Sequence, residues 1–262
     1  FLNAVAATDT YGLYNINMWS VSYGCKIQCS GSSGSYTYSV AADWANRPVN
    51  YVSYWDSVRF ANWLHNGQPT GAQDLTTTED GAYLVNGYNG NDGRTIQRKT
   101  GCKWAITSED EWYKAAYYKG TGAGYWDYPT QSNSTPSNDL MSPDPGNNAN
   151  FYHGGYTIGS PYYRTEVGEF EHSESHYNTF DQGGNVWEWN EAIVFQDANR
   201  GLRGGSFNYY DINLHSSNRA YSIPIYENYR VGFRVSAVPE PSSLTILAGG
   251  LLTILGLRKR RA

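Results

Sequence analysis

Apolar side chains in residues 54–65 fall at Tyr54, Val58, Ala61 and Leu64, the spacing of one helical stripe, and Asn66-Gly67 then supplies a helix stop. A second helix is predicted where Ser108-Glu109-Asp110-Glu111 takes the S-x-x-E form of a capping box. There the serine and glutamate side chains satisfy each other's free backbone N–H groups, and Trp112–Tyr118 continues the helix. The predicted strands are short: 104–107, 203–207 and 230–235. In Gly184–Trp189 two tryptophans alternate with polar residues, as in a half-buried strand. Residues 20–40 read as loops or short strands, and 47–53 as an extended lead-in to the first helix. Residues 66–100 and 120–180 are full of turn signals and predict little regular structure. Phe1–Thr8 reads as the end of an apolar helix, so a native start upstream of Phe1 is expected. No solenoid repeat and no linker divides residues 1–236.

Composition narrows this picture. The 262 residues include 24 Tyr, 9 Trp and 28 Gly, and the mean hydropathy is -0.60. So many aromatic rings must pack, which excludes a disordered chain, and the glycine content predicts irregular backbone over long helices. The formal net charge of -5, with no basic stripe before the C-terminus, argues against a nucleic-acid partner. The three cysteines, Cys25, Cys29 and Cys102, leave at least one unpaired. Cys25 and Cys29 are close enough in sequence to bridge, the plainer reading being buried or incidental thiols.

The last two dozen residues differ in kind. Pro239-Glu240-Pro241 breaks the chain, Leu244–Leu257 is an apolar run, and Arg258-Lys259-Arg260-Arg261 closes it. That run is shorter than the ~20 residues of a spanning helix, though flanking residues and bilayer thinning can cover the gap, and the basic cluster would stay on the cytoplasmic side. The order of the three parts resembles the PEP-CTERM sorting signal of Gram-negative and related bacteria. That resemblance implies handling by an exosortase and an exported protein of the cell envelope, surface or extracellular matrix. It also implies a transient inner-membrane hold through 244–257 and an association with exopolysaccharide. The expected division is a domain over 1–236 and a sorting tail over 237–262, with 238–262 packing against nothing.

Five segments follow in order: PVNYVSYWDSVRFANWL, WAITSEDEWYKAAYY, DQGGNVWEW, RGLRGGSF and YRVGFRV. Together they resemble the formylglycine-generating enzyme, or sulfatase-modifying factor, family, over nearly all of residues 1–236. The resemblance implies an α+β fold of C-type-lectin-like type with few short helices, short strands and many irregular loops. It implies that the copper(I)-binding cysteine pair of the catalytic members falls at Tyr209 and Leu214, where no thiolate exists; copper(I) requires such soft ligands. No copper and no formylglycine-generating activity are therefore expected. His215 and Arg219 remain as weak acid/base or ligand candidates in the implied cleft. The resemblance also implies a calcium site from Asp181, the backbone oxygens of Gly184 and Val186, and Glu188, hard oxygen donors that suit the ion. A second would use Asn150 and the backbone of Phe151, with its other ligands in a stretch, 157–166, that departs from the family.

Elsewhere chemistry is thin. His172 and His176, four apart in a polar segment, read as solvated loop residues over a metal pair. Glu166, Glu169, Glu171 and Glu174 read as a solvated acidic run. Arg203, Arg219 and Arg234 are expected to clamp loops through carboxylates and carbonyls. The leading expectation is a non-catalytic surface scaffold or recognition module for polysaccharide or another surface protein. The alternative is a metal-dependent oxidoreductase of the same superfamily with an altered site. Converging polar groups and a bound metal near Tyr209, Leu214, His215 and Arg219 would favour the enzyme. A filled, aromatic pocket would favour the scaffold.

Overall fold

The computed structural model describes residues 1–120, 122, 124–194 and 198–238, and every structural statement below concerns these. Helices α1 (Leu2–Val5) and α2 (Asn17–Ser20) precede a hairpin of β1 (Ile27–Ser30) and β2 (Thr37–Val40). Then come α3 (Tyr54–His65), β3 (Trp104–Ile106) and α4 (Glu109–Tyr117). The chain ends with β4 (Trp187–Val194), β5 (Asn199–Arg203), β6 (Ala220–Ser222), β7 (Val231–Phe233) and β8 (Val235–Ala237). The main sheet runs β6-β5-β4-β7, antiparallel except for the parallel pair β4–β7, while β3 and β8 form a separate antiparallel pair.

Both long helices start where the sequence places them. Ser108 and Glu111 form the expected capping box of α4, and Ser53 with Asp56 forms another at α3. Helix α3 is buried on more than one stripe: beyond Tyr54, Val58 and Ala61, its Trp55, Asp56, Arg59, Asn62 and Trp63 are also buried. Its polar members are paired. Arg59 is gripped by Glu79 at 2.7 and 3.1 Å, and Asn62 donates to the carbonyls of Thr78 and Tyr83.

The core joins α3 to the sheet through Trp55, Tyr83, Ile106, Trp187, Trp189, Leu202 and Val231. The half-buried strand expected over 184–189 is corrected: Trp187, Glu188, Trp189 and Asn190 are all buried, because β4 is central in its sheet and covered on both faces. The strand expected over 203–207 ends at Arg203, where Gly204 and Gly205 turn left-handed (φ 96° and 75°). The one over 230–235 is split between two sheets around Arg234. The expected boundary at 236 also moves. Strand β8 continues to Ala237, and Val238 packs on the core while its N–H donates to the Lys103 carbonyl (2.8 Å). The apolar run 244–257 lies outside the described residues. Among the described residues no helix is long and apolar enough to cross a membrane.

Candidate functional site

The segment leading into β4 is tightly curled. Asp181, Gly184 and Asn185 all adopt positive φ (59°, 84° and 54°). Gly184 is required, because a Cβ there would sit 2.1 Å from the Asn150 carbonyl oxygen. The curl is pinned by Gly184 N–H on Gly204 O (2.8 Å), Asn185 N–H on Asn150 O (2.9 Å) and Trp187 N–H on Arg230 O (2.6 Å).

Glu188 is the hub of this loop. Its carboxylate accepts from the Trp112 indole (2.6 Å) and from Arg234, whose Nη2 lies at 2.7 Å and whose Nε also donates. Arg234 donates as well to the Phe180 carbonyl, so the expected arginine clamp is present. Asp181 and Glu188 line one cavity of about 210 Å³ together with Val186 and Arg234. Asp181 accepts from Gly168 N–H, and burial pushes its carboxyl up to about 6, with Arg234 opposing and Glu188 adding to the rise. The carbonyls of Gly184 and Val186 accept no hydrogen bond among the described residues. A carboxylate offers about four lone-pair sites, of which Glu188 uses three. The expected donors are hard oxygens, the type that suits calcium, but Gly184 does not line the cavity and Arg234 already neutralises the Glu188 carboxylate there.

At the second expected calcium position, Asn150 is fully buried and its Oδ1 has no partner, while its Nδ2 donates to Tyr163 O and Asn185 Oδ1. The Phe151 carbonyl is already engaged by Asn138 and Thr157.

The four residues expected around the copper position part company. Tyr209 and Arg219 line an open cleft of about 320 Å³. Leu214 does not: the turn at Asp211–Asn213 swings it inward, where it is fully buried against Tyr128, Ala149 and Phe151. His215 also faces elsewhere, bonded to Ser217 (2.8 Å), edge-on to Tyr128, and 3.8 Å from Asp127. Trp187, Tyr221 and Tyr226 give the cleft aromatic walls, and Asn213, Asn218 and Arg230 give it polar groups. Arg219 pairs with Glu109 at 2.5 Å, and Arg203 grips the same carboxylate at 2.7 Å while bonding the Ser216 and Asn218 carbonyls.

Sequence reasoning missed Arg230. It stacks on Tyr209 (5.3 Å) and Tyr229 (4.6 Å) and donates to both hydroxyls. Its neighbours come from segments far apart in the chain, and the only available signal was an extra arginine just ahead of GFR. A larger, mainly apolar cavity of about 390 Å³ lies away from this cleft, beside Phe1, Met18, Val52 and Phe233; its polar lining is limited to Asn3, Ser39 and Asp56.

The other candidates remain apart. Cys25, Cys29 and Cys102 are free thiols. His172 bonds the Asp144 carbonyl (2.6 Å), which pushes its pKa up, and His176 packs against Tyr118. Among the described residues no three His, Cys, Asp or Glu side chains gather as a metal site.

A sequence profile of the sulfatase-modifying factor enzyme 1-like domain matches residues 3–238. The chain belongs to that family. The PEP-CTERM protein-sorting motif matches residues 237–261, so the protein is exported to the cell envelope or surface and its tail is a substrate for exosortase-type processing. Among solved structures it is similar to the crystal structure of CarF (18% identity, TM-score 0.52, covering 82% of this chain and 76% of that one). It is also similar to Treponema denticola variable protein 1 (19%, TM-score 0.50, covering 77% and 74%). At these identities the likeness shows the fold, the expected α+β arrangement of the family. No curated protein sequence matches the chain.

Proposed function

We propose that this exported sulfatase-modifying-factor-like domain is a non-catalytic recognition module whose ligand is a saccharide of the extracellular matrix. The observation that carries the reading is the Tyr209–Arg219 cleft. It is open, it has aromatic walls suited to the apolar faces of sugar rings, and its amide and guanidinium groups suit their hydroxyls. The cleft is not the filled aromatic pocket expected of a plain scaffold, and its converging polar groups are the feature expected of the enzyme reading; what favours binding over catalysis is the identity of the residues at the thiolate positions. A tyrosine stands where the resemblance puts a catalytic thiolate, and the histidine nearest in sequence faces away from the cleft.

Calcium belongs to the same proposal as a structural ion. Asp181 and Glu188, with the carbonyls of Gly184 and Val186, would hold it, and it would fasten a loop that contributes little core of its own. A melt of the tail-less domain with and without chelator tests this: a fall in Tm on chelation is expected, and no shift would remove calcium from the reading.

The recognition reading is tested by glycan-array binding with the same domain and its Tyr226→Ala and Asn218→Ala variants. Binding that these substitutions weaken is the expected result. Absence of binding to any glycan, or binding indifferent to both substitutions, would overturn it.

A further inference from the structure

The cleft carries an unusual charge arrangement. Arg230 has no carboxylate within ion-pairing distance among the described residues; its acceptors are two neutral phenol hydroxyls, and its Nε is buried without a partner. Two of its five N–H groups are used by the tyrosines, so the planar fork keeps donors to spare. Across the cleft, Glu109 is shared by Arg203 and Arg219, so that trio also carries a net positive charge. The rest of the protein is biased the other way. The chain is -5 overall, and four of its basic residues sit in the sorting tail, which leaves the domain itself more acidic still. A guanidinium kept without a counter-ion on an acidic domain, half-buried between two rings, is a site waiting for an anion.

We propose that Arg230 reads a carboxylate of the ligand, making this a site for acidic, uronate-bearing polysaccharide. The proposal rests on the saccharide-recognition reading above and deepens it. Arginine's fork matches a carboxylate bidentately, which a lysine point charge does not. Tyr209 and Tyr229 hold the guanidinium plane fixed, so little freedom is lost when the ligand binds. Tyr226 and Tyr221 on the cleft wall would face the sugar ring, and Asn213 and Asn218 its hydroxyls.

The test is equilibrium binding of the tail-less domain, folded by near-UV circular dichroism, to three probes: polygalacturonate oligomers, neutral dextran oligomers and heparin-type sulfated oligomers. Tighter binding to the uronate than to the neutral glycan is expected, weakening as salt rises. Arg230→Gln should lower uronate affinity about 10- to 100-fold, the worth of a charge-assisted bidentate contact. Arg230→Lys should recover only part of it. Tyr226→Ala should weaken charged and neutral sugars alike. Equal affinity for uronate and dextran, or no effect of Arg230→Gln on uronate, would overturn this inference and leave the recognition reading standing. Preference for the sulfated probe would overturn the choice of carboxylate. Failure to bind any of the three would overturn this inference, while the recognition reading is decided by the glycan array.

Discussion

Replacing Glu188 with alanine should destabilise the domain more than any surface change. The Glu188 side chain is 7% exposed and that of Arg234 25%, and the Trp112 indole donates to the same carboxylate. Removing one partner of a buried pair leaves the other charge uncompensated, at about 3–5 kcal/mol. Partial exposure of Arg234 brings this down, and the orphaned indole N–H adds a share, for an expected loss of roughly 2–4 kcal/mol. In a domain of this size each kcal/mol moves Tm by about 2–4 °C, so a fall of roughly 4–16 °C is expected. Glu188→Gln keeps an acceptor for Trp112 and should fall less. The assay is a thermal melt followed by tryptophan fluorescence and far-UV circular dichroism, run in chelator so that no ion contributes. If Glu188→Ala melted within about 1 °C of the wild type under those conditions, the carboxylate would not be the hub of the loop and the reasoning would be refuted.

Other expectations follow from the same structure. Burial, with Glu227 adding to it, pushes Asp56 up to about 7, so the fold disfavours its charged form. Its effect is a stability that is greatest below about pH 4 and declines as pH rises toward 7. Asp56→Asn should flatten part of that decline in urea midpoints measured from pH 4 to 8; an unchanged slope would assign the dependence elsewhere. Gly184→Ala, which drives a Cβ against the Asn150 carbonyl at positive φ, should cost more than about 2 kcal/mol in chemical denaturation. Purified domain given copper, oxygen and a cysteine-bearing sulfatase peptide should yield no aldehyde by mass spectrometry, because Tyr209 and buried Leu214 provide no thiolate.

Local signals survived translation into structure. The α4 capping box, the Asn66-Gly67 stop and the irregular stretch 120–180 are all where short-range chemistry puts them. What depended on distant partners did not. The apolar stripe of α3 was visible, but the burial of Arg59 was not, because its partner Glu79 lies twenty residues on in a loop without periodicity. Spacing alone grouped Leu214 and His215 with Tyr209, and a single turn at Asp211–Asn213 sends both elsewhere. The cleft arginine Arg230 gains its meaning from rings at 209 and 229 and from an absent carboxylate, neither of which a linear reading displays.

The strand β8 has a mechanical corollary. Pro239 follows directly on a residue whose backbone is bonded to Lys103, so the folded body reaches in sequence right up to the Pro-Glu-Pro of the sorting signal. Any processing that reached back into residues 235–237 would have to strip a three-residue strand from its neighbour like a short zip. Tension on the tail is delivered straight to the β3–β8 pair, and through β3 to α3. The corner of the fold formed by β3 and β8 is thus the part of the domain that a pull on the sorting signal loads first.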